Sequence, residues 1–120
     1  MKRPVLLSVL LLAGTASAFA EYPFEGSWAY DCTVSGGDVV PTAIEPGRIV
    51  YYESECTIDK VDDMGRGGQV WTLTTTCSGE GETWQRVMVL GLEPEGQGKP
   101  QRLVELDFDF GSVQVHERCE

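Results

Sequence analysis

Almost everywhere after Gly26 the chain alternates apolar and polar residues with a period of two. That spacing sends successive side chains to opposite faces of a β-strand. RLVELDFDF shows it most cleanly, with Val104, Leu106, Phe108 and Phe110 on one face and Glu105, Asp107 and Asp109 on the other. In QVWTLTTTC, Trp71, Leu73 and Cys77 alternate with Thr72, Thr74 and Thr76, whose β-branched side chains suit a solvated face. Trp28, Tyr30, Cys32 and Val34 share a face after Gly26. Between Arg48 and Asp59 one face collects Val50, Tyr52, Cys56 and Ile58, opposed by Glu53, Glu55 and Asp59. Glycine-rich punctuation separates the runs: DDMGRGG, SGEGE, EPEGQGKP and the pair Gly111-Ser112. The expectation is an all-β domain, an antiparallel meander of about six strands closed into a small barrel with two disulfides. The longest connection, Ser35 to Pro46, leaves room for a short extra strand at Val39-Val40.

Residues 1–20 stand outside this pattern. MKRPVLLSVLLLAGTASAFA opens on Lys2 and Arg3, runs apolar from Val5 to Ala13 and ends in small residues. This is the layout of a secretory signal peptide, with cleavage after Ala20 or Ala18. The apolar run is too short to span a bilayer and nothing later approaches the length required. Neither a twin arginine nor a lipid-accepting cysteine accompanies it, so general secretion to the periplasm or beyond is expected. The remaining residues, 21–120, form one domain of modest core size.

Four cysteines, Cys32, Cys56, Cys77 and Cys119, all fall in that domain. An even count in a small exported chain predicts two disulfides. No two of the cysteines stand close enough for a zinc knuckle, and His116 is the one histidine. A hairpin centred in DDMGRGG sets Cys56 directly opposite Cys77, at a separation a disulfide can bridge. Cys32 and Cys119 then meet if the meander closes. The other arrangement weighed is 32–56 with 77–119.

Without Lys2 and Arg3, seven basic residues face nineteen acidic ones, a net charge near −12. Nucleic acid is a poor partner for such a chain, because its phosphates must be neutralised by Lys and Arg. A basic protein is a good one. CSGEGETW, residues 77–84, gathers glycines and carboxylates in the manner of a ligand loop. Glu80 and Glu82 would repel phosphate and no helix follows, so it reads as a disulfide cysteine, a tight glycine turn and a strand entered at Trp84. Asp62-Asp63 beside Gly65 lacks the spacing of a calcium loop. No cofactor motif occurs. No catalytic set assembles either, since the cysteines are expected to be bridged and His116 lacks a placed nucleophile.

Using Gly111-Ser112 as a two-residue turn pairs Asp109 with Gln114, Asp107 with His116 and Glu105 with Arg118, all on an outer face. Phe110 then meets Val113 and Phe108 meets Val115 inside. Glu117 lands on the apolar side, as does Arg86 opposite Thr75. Because a buried charge is costly unless paired, Arg86 and Glu117 are expected to form an inner polar pair at the barrel mouth. Trp28, Trp71 and Trp84 take inward positions, Tyr51 an outward one, and Tyr22-Pro23-Phe24 is placed to plug one barrel end.

Gly26-x-Trp28, Cys32, ESECTI, CSGEGETW and the final cysteine together resemble small exported proteins of unknown function from Gram-negative bacteria. Tyr30-x-Cys32 near the start and Cys119 at the end are similar to the periplasmic C-type lysozyme inhibitors. That resemblance implies a small barrel with a terminal-strand disulfide and a Ser-Gly loop, here Ser78-Gly79, that contacts the enzyme. The tyrosine expected shortly after that loop is replaced by Glu82-Thr83-Trp84.

The functional expectation is a non-enzymatic exported binding module, an inhibitor of a cationic enzyme such as a lysozyme or protease. Its contacts would come from Glu105, Asp107 and Asp109 and from Ser78, Gly79, Glu80 and Glu82. The alternative is a barrel that takes a small molecule or metal ion into a polar cavity around Arg86 and Glu117.

Overall fold

A computed structural model describes residues 22–34, 40–65, 67, 69–94, 96 and 100–119. Residues 1–20 and Val39 of the suggested extra strand lie outside them, and Val40 is not in a strand. The domain is a closed antiparallel barrel of eight strands in simple meander order. They are β1 (Gly26–Ala29), β2 (Thr42–Glu45), β3 (Arg48–Val50), β4 (Glu55–Asp63), β5 (Val70–Gly79), β6 (Glu82–Leu92), β7 (Arg102–Asp107) and β8 (Ser112–Cys119). β8 pairs with β1 to close the ring.

Two more strands exist than the alternation suggests, for two reasons. Thr42–Glu45 forms a strand within the long connection and turns at Pro46-Gly47 onto β3. The run from Arg48 to Asp59 is not one strand: the chain bends at Tyr52 and Glu53, and Tyr51 N–H donates to the Ser54 carbonyl at 2.8 Å. The bend exchanges the two faces before it. Ile49, not Val50, is buried opposite Cys56, and Tyr51 turns inward while Tyr52 is exposed.

Interior positions are filled by side chains, as suits an eight-stranded barrel. Trp28, Ile49, Leu73, Met88, Leu90 and Leu103 are buried there. One end is closed by the segment before β1, as expected of Tyr22-Pro23-Phe24. Phe24 is buried edge-on against Trp71, with ring centroids 4.9 Å apart, and Tyr22 stacks on Phe24. Arg118 holds the plug in place, donating to the Glu25 and Pro23 carbonyls at 2.8 and 2.7 Å from above the Trp28 ring.

The disulfides are Cys32–Cys119 and Cys56–Cys77. Cys56 and Cys77 stand directly opposite one another on β4 and β5. Just beyond them the register shifts at Asp59. The bulge keeps the inner face apolar, because strict alternation would send Lys60 inward and instead Val61 meets Leu73.

CSGEGETW is indeed a turn. Gly79 pairs with Glu82, and Glu80 (φ 52°) and Gly81 (φ 79°) are both left-handed, the two-residue type I′ connection. Glutamate is strained in that region, whereas Asn-Gly is the favoured I′ pair. Glu80→Asn is therefore expected to stabilise the fold by about 0.5–1 kcal/mol, read as a higher urea midpoint at unchanged slope.

Candidate functional site

β7 and β8 diverge most from the alternation rule. The turn is not Gly111-Ser112 but four residues, Phe108 to Gly111, and Asp107 pairs with Ser112. One Asp107 carboxylate oxygen, Oδ1, accepts the backbone N–H groups of Asp109 (2.9 Å) and Phe110 (3.2 Å). An aspartate that bonds the backbone two and three residues on starts a turn at itself. Gly111, at φ 61°, completes it. Glu105 consequently faces Gln114 rather than Arg118, Leu106 meets Val113, and His116 lies opposite Leu103.

The faces of the hairpin are exchanged as well: the pairing moves by four residues, an even number that keeps Glu105 and Asp107 on one face with His116, and that face now points inward. Glu105 and Asp107, expected outside, are 7% and 3% exposed and point into the barrel. Their partner is Arg86, inward and opposite Thr75 as expected. Arg86 Nη2 donates to Glu105 Oε1 at 2.9 Å, Nε donates to Asp107 Oδ2, and Nη1 donates to the Tyr51 hydroxyl at 2.9 Å. His116 Nε2 reaches Glu105 Oε2 at 3.3 Å, so its carboxylate neighbour is Glu105 and not Asp107. Thr75 donates to the Arg86 carbonyl at 2.8 Å.

The expected Arg86–Glu117 pair does not form. Glu117 lies half-buried on β8, across from Arg102. The buried guanidinium takes the carboxylates of the adjoining β7 in its place.

Burial pushes the Tyr51 hydroxyl up to about 12, with the nearby Glu105 charge adding to the shift. Burial likewise works against the Asp107 carboxylate, but Arg86 and the two turn N–H groups outweigh it and hold the group below its ordinary value. Burial also opposes the Arg86 charge, and the surrounding Tyr51, Asp107 and Glu105 oxygens more than offset it. Among the described residues, no buried side-chain nitrogen or oxygen lacks a hydrogen-bond partner. A polar cluster satisfied from within ties β6, β7 and β8 to Tyr51, just after β3.

The same exchange puts apolar side chains outside. Phe108, Phe110 and Val113 are 63%, 75% and 62% exposed, and Leu106 and Val115 are each 40% exposed. Leu106 and Val113 face each other across the strands, as do Val104 and Val115, so the strip is continuous along the hairpin and over its turn. Asp109 stays exposed in that turn, where its Oδ2 accepts the Val87 N–H at 3.2 Å.

Ser78, Glu80 and Glu82 are exposed at the neighbouring β5–β6 tip. Gly79 is half-buried because the bend at Glu53 and Ser54 passes so close that a Cβ there would lie 2.8 Å from the Glu53 carbonyl oxygen. Of the residues expected to contact a partner, Glu82 and Asp109 come together at one end of the barrel. Besides Glu105, Asp107 and Glu117, the alternation rule misplaces Tyr51 and the outer strip. The non-alternating Glu53-Ser54-Glu55 is the available signal for the bend that turns Tyr51 inward.

No protein-family profile matches the chain, and no curated protein or solved structure shows significant similarity to it. Among the described residues, no helix is long and apolar enough to cross a membrane.

Proposed function

We propose that this protein is an exported, non-enzymatic binding module that engages a basic protein through the outer face of the β7–β8 hairpin, and that its partner is an enzyme it inhibits. The observation that carries the reading is the continuous apolar strip Leu106–Phe108–Phe110–Val113–Val115, left in solvent by a domain whose core is otherwise filled. Exposed apolar patches on small proteins mark interaction sites, and aromatic side chains dominate the energy of such contacts. Strong acidity supports a basic partner through steering and complementarity. Two disulfides are compatible with an oxidising extracellular environment, and the leader at residues 1–20 supports export to the periplasm or medium.

The non-enzymatic part of the proposal rests on where the reactive side chains are spent. All four cysteines are in disulfides, and the single histidine is engaged with Glu105 inside the barrel. The alternative of a ligand cavity around Arg86 loses support to the self-satisfied cluster described above.

The test is capture by the immobilised oxidised protein of basic secreted enzymes, C-type lysozymes included, at low and near-physiological salt. Leu106→Gln/Phe108→Ser/Val113→Thr serves as the comparison, because it removes the strip while leaving Phe110 and every charge in place. One basic enzyme is expected to bind the wild type, with affinity falling at least about tenfold in the variant. Equal binding by both proteins would sink the proposal.

A further inference from the structure

Between the tips of the β5–β6 and β7–β8 hairpins lies an open groove lined by Glu82, Thr83, Trp84, Gln85, Asp109 and Phe110. Two aromatic rings and two carboxylates meet there, and no cation lines it among the described residues. The described basic side chains are committed elsewhere. Arg48 pairs with Glu45 and Glu55, Lys60 with Asp62, and Arg102 with Glu93. Arg86 serves the interior cluster and Arg118 the barrel plug.

Both walls are held in place. Trp84 packs half-buried against the core, opposite Cys77 of the β4–β5 disulfide. Asp109 is fixed twice, by its own N–H on Asp107 and by the Val87 N–H on its Oδ2. Glu82 makes no side-chain hydrogen bond or ion pair among the described residues, and it follows directly on the rigid type I′ turn. The groove is thus an anionic, aromatic-walled slot whose charge nothing in the described protein neutralises.

We infer that this groove seats an arginine side chain of the partner protein. A guanidinium is flat, stacks on aromatic faces, sheds its hydration more readily than an ammonium and can bridge carboxylates. Trp84 and Phe110 would take its faces, and Glu82 and Asp109 its N–H edges. The inference rests on the protein-binding reading and adds to it a chemical class of contact residue. The arginine would enter beside the apolar strip, so the partner's complementary surface is an arginine flanked by apolar side chains.

Amidated tetra-arginine, tetra-lysine and tetra-citrulline peptides test it on the full oxidised protein at near-physiological salt, with the Trp84 indole N–H resonance as the readout. Citrulline keeps the shape of arginine without its charge. Tetra-arginine is expected to shift that resonance and to bind more tightly than tetra-lysine, with no binding by tetra-citrulline. Phe110→Ala should weaken tetra-arginine about fivefold, and Glu82→Gln/Asp109→Asn about tenfold or more. Phe110 is exposed, and the amide oxygen of an asparagine in place of Asp109 can still accept the Val87 N–H, so neither change is expected to unfold the domain. Trp84→Leu is a secondary check, since that ring also packs on the core.

Undiminished tetra-arginine binding in both groove variants would overturn the seat and leave only attraction to the net charge. Tighter binding of tetra-lysine would overturn the choice of arginine. The two proposals fail separately. Groove variants that bind tetra-arginine normally, beside a strip variant that loses its protein partner, overturn the seat and leave the strip standing. The opposite pattern overturns the strip and leaves the seat.

Discussion

Arg86→Met is expected to lower the free energy of unfolding by about 3–5 kcal/mol, the usual cost of removing one partner from a buried ion pair. Methionine keeps the length and packing of the arginine stem but leaves Asp107 and Glu105 inside the barrel without a counter-charge. Urea unfolding at neutral pH measures the loss. A cost below about 1 kcal/mol, the range of an exposed pair, would mean that the cluster is solvated and not buried.

Acid titration gives the same network a second signature. Folded Asp107 is held below its ordinary value of 3.8. Its contribution is therefore complete above that pH and is lost as pH falls through the lower folded value. In Arg86→Met the burial of Asp107 is no longer outweighed by a guanidinium, so its folded pKa moves upward. The variant should then lose less stability than the wild type on acidification, and the two curves should converge at low pH. Adding Glu105→Leu to Arg86→Met should recover part of the loss, a non-additive result expected of residues that share one network.

The second large effect concerns the disulfide that closes the ring. Cys32 and Cys119 lie 87 residues apart, against 21 for Cys56 and Cys77. In the chain-entropy account, cross-links over such loops stabilise by about 4.5 and about 3.3 kcal/mol respectively. Cys32→Ser/Cys119→Ser also frees β1 from one of its ties to β8, the pairing that turns a sheet into a barrel. A domain of this size is typically stable by only about 5–15 kcal/mol. The variant is therefore expected to approach half-unfolding in mild denaturant and to be cleaved readily by protease. Cys56→Ser/Cys77→Ser should remain folded under the same conditions. The reverse order would show that packing at the β4–β5 pair outweighs loop closure.

Much of this architecture can be read from residue order, and the parts that cannot share a cause. The midpoint between Cys56 and Cys77 falls within DDMGRGG, so the turn and the disulfide constrain each other. SGEGE carries its own turn chemistry, and that in turn puts Arg86 opposite Thr75 and facing inward. The β7–β8 hairpin has no such anchor. RLVELDFDF alternates equally well in either register, and hydrophobicity alone puts Leu106, Phe108 and Phe110 inside. What reverses the choice is non-local, a buried arginine on β6 that needs carboxylates, while an aspartate whose side chain begins the turn well before Gly111 suggests it moves the pairing by four residues. Tyr51 is misplaced for a related reason, since a bend within an apparently continuous strand exchanges faces without interrupting composition. The outer apolar strip follows from the same reversal, so the residues most useful for the functional proposal are those that sequence pattern assigns to the core.

Site-specific photo-crosslinking in the exporting cell tests the central proposal most directly, with a benzophenone side chain in place of Phe108 and, in a second protein, of Thr57. Thr57 is exposed on β4, across the barrel from the β7–β8 hairpin. The proposal predicts one discrete adduct from the Phe108 position, containing a basic exported protein, and none from Thr57. Adducts of equal yield at both positions, or an adduct from Thr57 alone, would contradict it.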